Sequence, residues 1–81
     1  MNSIPAKYTP DATVKSKLDN IFTYHSPKLD QPERYVEIRT TAKSLASLIV
    51  HATPVSREQS LALTKLEECC FWANAAIARN E

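Results

Sequence analysis

The chain has 81 residues, of which 43% are hydrophobic, so it forms one small domain near the size at which a single core only marginally outweighs chain entropy. Ten Lys and Arg and nine Asp and Glu leave a net charge of +1, which excludes the broad basic face that binds a nucleic acid polymer. A small phosphorylated ligand is not excluded, because about two or three well-placed cations are enough to hold it.

The chain begins with a tail at residues 1–10, which contains two prolines and no apolar period, so we predict that this tail is flexible. A single helical-hairpin domain is predicted over residues 11–81. Its first element is a short helix that is capped by Asp11 and ends near Tyr24. The apolar residues at helical spacing in this helix are Val14, Leu18, Ile21 and Phe22.

Two longer helices follow the loop "TYHSPKLDQP". We predict the second helix from about Pro32 to His51, and a third helix that begins with a capping box formed by Ser56 and Gln59. Each helix carries apolar residues at the alternating three and four spacing of a coiled-coil seam, which predicts an antiparallel hairpin. The seam residues are Tyr35, Ile38, Ala42, Leu45 and Ile49 in the second helix and Leu63, Leu66, Cys70, Ala73 and Ile77 in the third.

The third helix carries more apolar surface than the seam uses. Leu61, Phe71, Trp72 and Ala75 point away from the seam, and the first helix is too short to cover all of them. One interpretation is that Phe71 and Trp72 are ordinary core residues beneath the first helix. For the whole set we expect a neighbouring subunit instead, and therefore an all-α homo-oligomer.

The sequence contains no motif typical of a catalytic site or a metal site. His25 and His51 stand in no metal-ligand spacing and no Ser, His and Asp grouping is present, so we expect no metal, no cofactor and no enzyme. The adjacent Cys69 and Cys70 cannot bridge each other within a helix, which favours partly buried thiols in a reducing cytoplasm. No apolar run approaches the roughly 20 residues of a membrane span, so a membrane partner and secretion are not expected.

Polar residues near the loop are the candidates for binding. Tyr24, His25 and Lys28 supply an aromatic ring, an imidazole and a cation. Arg39 and Thr41 flank the apolar seam of the second helix on opposite sides, where a guanidinium suits phosphate oxygens and a hydroxyl donates or accepts. A solvated surface explains the same residues, and chemistry alone favours it.

Two long stretches, "FTYHSPKLDQPERYVEIRTTAKSLASLI" and "TPVSREQSLALTKLEECCFWANAAIARN", resemble the helical-hairpin domain of the phage anti-CBASS sponge proteins. The specific pieces are the aromatic-His-x-Pro stretch from Tyr24 to Pro27, "RYVEIRTTAK", and the ending "ALTKLEE" to "WANAAIAR". The resemblance covers roughly residues 20–80. A related hairpin occurs in anti-Thoeris sponges, which carry an additional β-rich domain for which this chain has no room, so we expect the smaller branch.

The resemblance implies a homohexamer that sequesters cyclic oligonucleotide signals in the cytoplasm of the infected bacterial host without cleaving them. Tyr24 would stack on a purine, while Arg39, Thr41 and Lys28 would complete a cyclic dinucleotide site between two subunits. A second kind of pocket, for cyclic trinucleotides, would use two further residues. They are His25 and Arg79.

Two positions depart from the family's pattern. Ser26 stands where the motif commonly has proline, and Arg39 replaces a lysine, so ligand preference is open although the charge at position 39 is kept.

Three other classes of function stay open in the sequence. A structural or partner-binding helical oligomer would need the seams but neither Tyr24 nor Arg39. A helix-turn-helix DNA-binding protein would need a basic recognition helix, whereas the third helix carries Glu58, Glu67 and Glu68. A phosphodiesterase would bind the same signal and destroy it.

Overall fold

A computed structural model describes residues 6–81, which contain three helices and no strand. They are α1 (Ala12–Ile21), α2 (Gln31–Ala52) and α3 (Arg57–Asn80). The predicted all-α class is therefore confirmed. Residues 6–10 form no helix, and residues 1–5 of the predicted tail lie outside the described residues.

Helix α1 begins where the sequence predicts but ends earlier. The Asp11 carboxylate accepts a hydrogen bond from the amide of Val14 at 2.9 Å, which satisfies one of the free donors of the first turn. The predicted end near Tyr24 is wrong by three residues, because α1 ends at Ile21. The Thr23 hydroxyl donates to the carbonyl of Asp19, and this local bond replaces a further turn of the backbone ladder.

Helices α2 and α3 pack against each other along the predicted seam. Nine of the ten predicted seam residues are half-buried, but Leu45 remains 46% exposed, and Ala46 is half-buried in its place. Leu45 borders the groove beside Thr41, and Ala46 borders the groove beside Arg39, so the two residues lie on either side of the contact line. The predicted central position of Leu45 is therefore corrected to the edge of the seam.

The turn between α2 and α3 contains half of the predicted capping box. The Ser56 hydroxyl accepts from the amide of Gln59 at 3.1 Å, as a capping box requires. The Gln59 side chain does not return to Ser56 but donates to the carbonyl and the hydroxyl of Thr53, each at 3.1 Å. The second half of the box is thus replaced by bonds that join the two helix ends across the turn.

A single chain buries its apolar residues only partly. Within residues 6–81 no hydrophobic residue is buried, and the one buried residue is Gln31, which is 3% exposed. The radius of gyration is 18.1 Å, whereas a compact domain of this length has a radius of roughly 12 Å. None of the helices in these residues is long and apolar enough to cross a lipid bilayer.

The outer face of α3 is exposed in the single chain. Phe71 and Trp72 are 62% and 63% exposed, so the interpretation that α1 covers them as core residues is wrong. Leu61 is also exposed, and Ala75 is half-buried. Large adjacent aromatic side chains in water are typical of an unfilled contact surface.

Candidate functional site

An open cleft of about 470 Å³ lies between the loop after α1, the first half of α2 and the end of α3. The loop contributes Tyr24 and His25, and α2 contributes Tyr35 and Arg39. Asn74 and Arg79 come from α3. Folding therefore brings together an exposed aromatic ring, an imidazole and two guanidinium groups from three segments of the chain.

Tyr24 and His25 are adjacent in the loop but have different surroundings. Tyr24 is 82% exposed, so its ring has a free face. His25 is half-buried, and its Nε2 lies 2.8 Å from the carbonyl oxygen of Asn20. A carbonyl oxygen only accepts, so Nε2 carries the proton and Nδ1 is left for another partner.

Asn20 joins this loop to the end of α3. The side-chain amide of Asn20 donates to the main-chain carbonyl of Arg79 at 3.2 Å. The main-chain carbonyl of Asn20 accepts the hydrogen bond from His25. The side of the cleft that carries His25 and Arg79 is therefore built from a connected set of hydrogen bonds.

Arg39 and Thr41 lie on opposite sides of the hairpin. Arg39 borders both the cleft and a groove of about 530 Å³ that it shares with Lys43 and Glu67. Thr41 borders a different groove, of about 400 Å³, with Cys69. One chain thus cannot bring both side chains to a single compact ligand.

Lys28, the remaining predicted site residue, is held away from the cleft lining. Its ammonium group donates to the main-chain oxygen of Glu81 at 2.9 Å. We call Lys28, Gln31, Arg34 and Glu81 the Glu81 clamp, because the last residue bonds to all three others. The clamp joins the loop and the start of α2 to the end of α3.

The clamp sets the charge of its carboxylate. The hydrogen bonds from Arg34 and then Gln31 lower the pKa of Glu81 from its ordinary 4.5 to about 2. The same pairing raises the pKa of Arg34. Glu81 is therefore ionised at every physiological pH.

The depressed pKa predicts a pH-dependent contribution to stability. A carboxylate with a lowered folded-state pKa contributes stability above its ordinary pKa of 4.5, and this contribution is lost as the pH falls towards 2. We expect Glu81→Gln to lower the thermal unfolding temperature at neutral pH and to have a much smaller effect near pH 2. Unfolding scans of both chains from neutral pH down to pH 2 measure this, and a constant difference would contradict it.

Asn74 also lines the cleft, although its position in the sequence does not mark it as a binding residue. Its side-chain oxygen is buried and has no hydrogen-bond donor, although a buried acceptor normally has one. The available signal was a lone amide in the apolar run "WANAAIAR". Tyr35 was assigned to the seam alone, but it also borders the cleft.

The remaining candidates for chemistry do not form a cluster. Residues 6–81 hold no group of three or more His, Cys, Asp or Glu side chains that could bind a metal ion. Cys70 is half-buried as predicted, but Cys69 is exposed, so its predicted burial is wrong. The side chain of Cys69 borders the same groove as Thr41, beside the contact line of α2 and α3.

Comparison with models of known protein families identifies a related domain. A family model described as Acb2/Tad1, hairpin domain, matches residues 15–78, which include all three helices except the first residues of α1 and the last of α3. No curated protein and no solved structure matches the chain.

Proposed function

Because the chain belongs to the Acb2/Tad1 hairpin-domain family, the family of anti-CBASS and anti-Thoeris sponge proteins, we propose that it sequesters cyclic dinucleotides of bacterial CBASS defence without cleaving them. The predicted family is confirmed, and at the family level its role is that of a cyclic nucleotide sponge. The observation that carries the proposal for this chain is the cleft that contains both Tyr24 and Arg39.

The cleft offers the two interactions that a cyclic dinucleotide needs. The exposed ring of Tyr24 stacks on a purine, and the guanidinium of Arg39 binds a phosphate with paired hydrogen bonds. Lys28 does not line the cleft in one chain, but we include it as a further cation for the ligand because Glu81 occupies only one of the three donors of its ammonium group. Each of these groups binds without any bond being broken.

Thr41 supports a site shared between two subunits. Since Arg39 and Thr41 face opposite sides of one hairpin, a site that uses both takes Arg39 from one chain and Thr41 from another. A two-fold interface presents the same pair to each half of a pseudo-symmetric cyclic dinucleotide. The site is then complete only in the assembled protein.

His25 and Arg79 are proposed as contacts for a cyclic trinucleotide. In one chain they border the same cleft as Tyr24 and Arg39, so a separate pocket needs surfaces from further subunits. The free Nδ1 of His25 accepts a hydrogen bond from a ligand hydroxyl or amine when the ring is neutral.

Assembly is proposed as a homohexamer in the cytoplasm of the infected bacterium. Phe71, Trp72 and Leu61 supply the apolar surface that neighbouring subunits cover. The balanced net charge of +1 argues against a nucleic acid polymer as a further partner.

Isothermal titration with a panel of cyclic di- and trinucleotides tests the proposal, together with sedimentation of the free protein. We expect a ligand stoichiometry below one per chain, a sedimenting homohexamer, and chromatographically intact ligand after heat release. Degraded ligand would identify a phosphodiesterase. An assembled, helical protein that binds nothing in the panel would instead be a structural or partner-binding oligomer.

A further inference from the structure

The loop that carries Tyr24 is attached to α1 and to α2 by two hydrogen bonds. Directly after Tyr24, His25 bonds to the carbonyl of Asn20, the second-last residue of α1. Three residues further on, the main-chain amide of Lys28 donates to the side-chain oxygen of Gln31, the first residue of α2, at 3.2 Å. Tyr24 itself has no packing that would hold it, because its side chain is exposed.

Gln31 transmits the second attachment to α3. It is the one buried residue within residues 6–81, and its amide nitrogen donates to Oε1 of Glu81 at 3.1 Å. Arg34 holds the same carboxylate with both terminal nitrogens, one of them at 2.7 Å. Glu81 therefore orients the side chain that fixes the loop.

The backbone of the loop needs such support. Leu29 has a φ of 53° and is almost fully exposed. A residue with a Cβ is strained in this left-handed region. Leu29 is not a glycine, and its exposed side chain makes no packing contacts that would offset the strain. The turn around Leu29 is closed by a backbone bond from the Gln31 amide to the carbonyl of Lys28 at 3.0 Å. The side chain of Gln31, which Glu81 holds, adds a second bond to Lys28 across the same turn.

We infer that Glu81 is a positioning residue that, through Gln31 and Lys28, holds the loop in the conformation that presents Tyr24 to the ligand. This inference rests on the proposed function for its consequence in binding. Glu81 does not border the cleft, so the proposed effect on binding acts through the loop. Its loss lowers the fraction of chains whose loop is ready to bind.

Fluorine NMR of the free protein tests the positioning directly. The chain has three tyrosines, so labelling with fluorotyrosine gives three signals that Tyr→Phe variants assign. In Glu81→Gln we expect the Tyr24 signal to narrow and shift while that of Tyr8 stays unchanged. The control Glu58→Gln removes an exposed carboxylate at the other end of α3 and should move neither signal. An unchanged Tyr24 signal in Glu81→Gln would overturn the inference.

Binding kinetics separate positioning from contact. The ligand is whichever of cyclic di-GMP, cyclic di-AMP and cyclic GMP–AMP the wild-type chain binds most tightly. If the competent fraction falls to about one tenth, the association rate falls about tenfold and Kd rises by the same factor. We expect an unchanged dissociation rate and an unchanged stoichiometry. A faster dissociation rate alone would make Glu81 a ligand contact, and a lower stoichiometry would make it a folding residue; either overturns the inference.

Fluorine NMR and binding kinetics together distinguish a failure of the proposed nucleotide binding from a failure of positioning by Glu81. If the wild-type chain binds no nucleotide, the proposed function fails, while the fluorine signals still decide whether Glu81 positions Tyr24.

Discussion

Replacement of Tyr24 by alanine is expected to weaken cyclic dinucleotide binding by about 1–3 kcal/mol for each base that stacks on the ring. A two-fold site contains the ring twice, so both losses add in the binding free energy. Every 1.4 kcal/mol corresponds to a tenfold change in Kd, so a combined loss of about 2 kcal/mol or more raises Kd at least about 25-fold. Titration calorimetry of the variant measures the loss.

The matched control is Tyr8→Ala. Both tyrosines are 82% exposed, but Tyr8 precedes α1 and does not border the cleft. We expect Tyr8→Ala to bind as the wild type does and Tyr24→Phe to keep most affinity because it keeps the ring. Circular dichroism should be unchanged in all three variants. An equal loss of affinity in the two alanine variants would rule out stacking on Tyr24.

Replacement of Arg39 by alanine is expected to remove a charge-assisted hydrogen bond to phosphate, at a cost of about 1.5–3 kcal/mol for each contact. The salt dependence of the ligand Kd should also become weaker, because one cation fewer faces each phosphate. Arg39→Lys keeps the charge but loses the paired geometry, so we expect an intermediate Kd. Titrations at low and high salt measure both effects.

Lys43→Ala is the control for charge. Lys43 lies one turn after Arg39 on the same helix and borders the neighbouring groove, but it does not border the cleft. Both variants lose one positive charge, and only Arg39→Ala should lose affinity strongly. Similar losses would mean that the phosphate responds to overall charge rather than to a positioned guanidinium.

The local parts of the fold follow from the sequence. Asp11 and Ser56 are N-caps whose bonds reach only three residues along the chain, and apolar spacing locates the hairpin seam. The errors have equally local causes. The Thr23 side chain bonds to the last turn of α1 where a further helical turn is predicted, and Leu45 lies at the edge of the seam.

The site is only partly contained in the sequence. Tyr24 and His25 are recognisable as neighbours in a loop, but their proximity to Arg79 exists only after the hairpin brings the end of α3 beside that loop. Asn74 was missed for the same reason. The Glu81 clamp joins residues that are remote in sequence, and neither periodicity nor spacing reports such a pairing.

The absence of a buried apolar core within residues 6–81 has a consequence for dosage. When most apolar burial occurs between chains, folding and assembly become one equilibrium, and stability depends on protein concentration. Under the proposed function, newly synthesised protein would bind little nucleotide until its concentration passes a threshold. Above the threshold, the amount of nucleotide bound would rise more steeply than the amount of protein. The moment and strength of expression would thus decide whether the second messenger is captured before it reaches its effector.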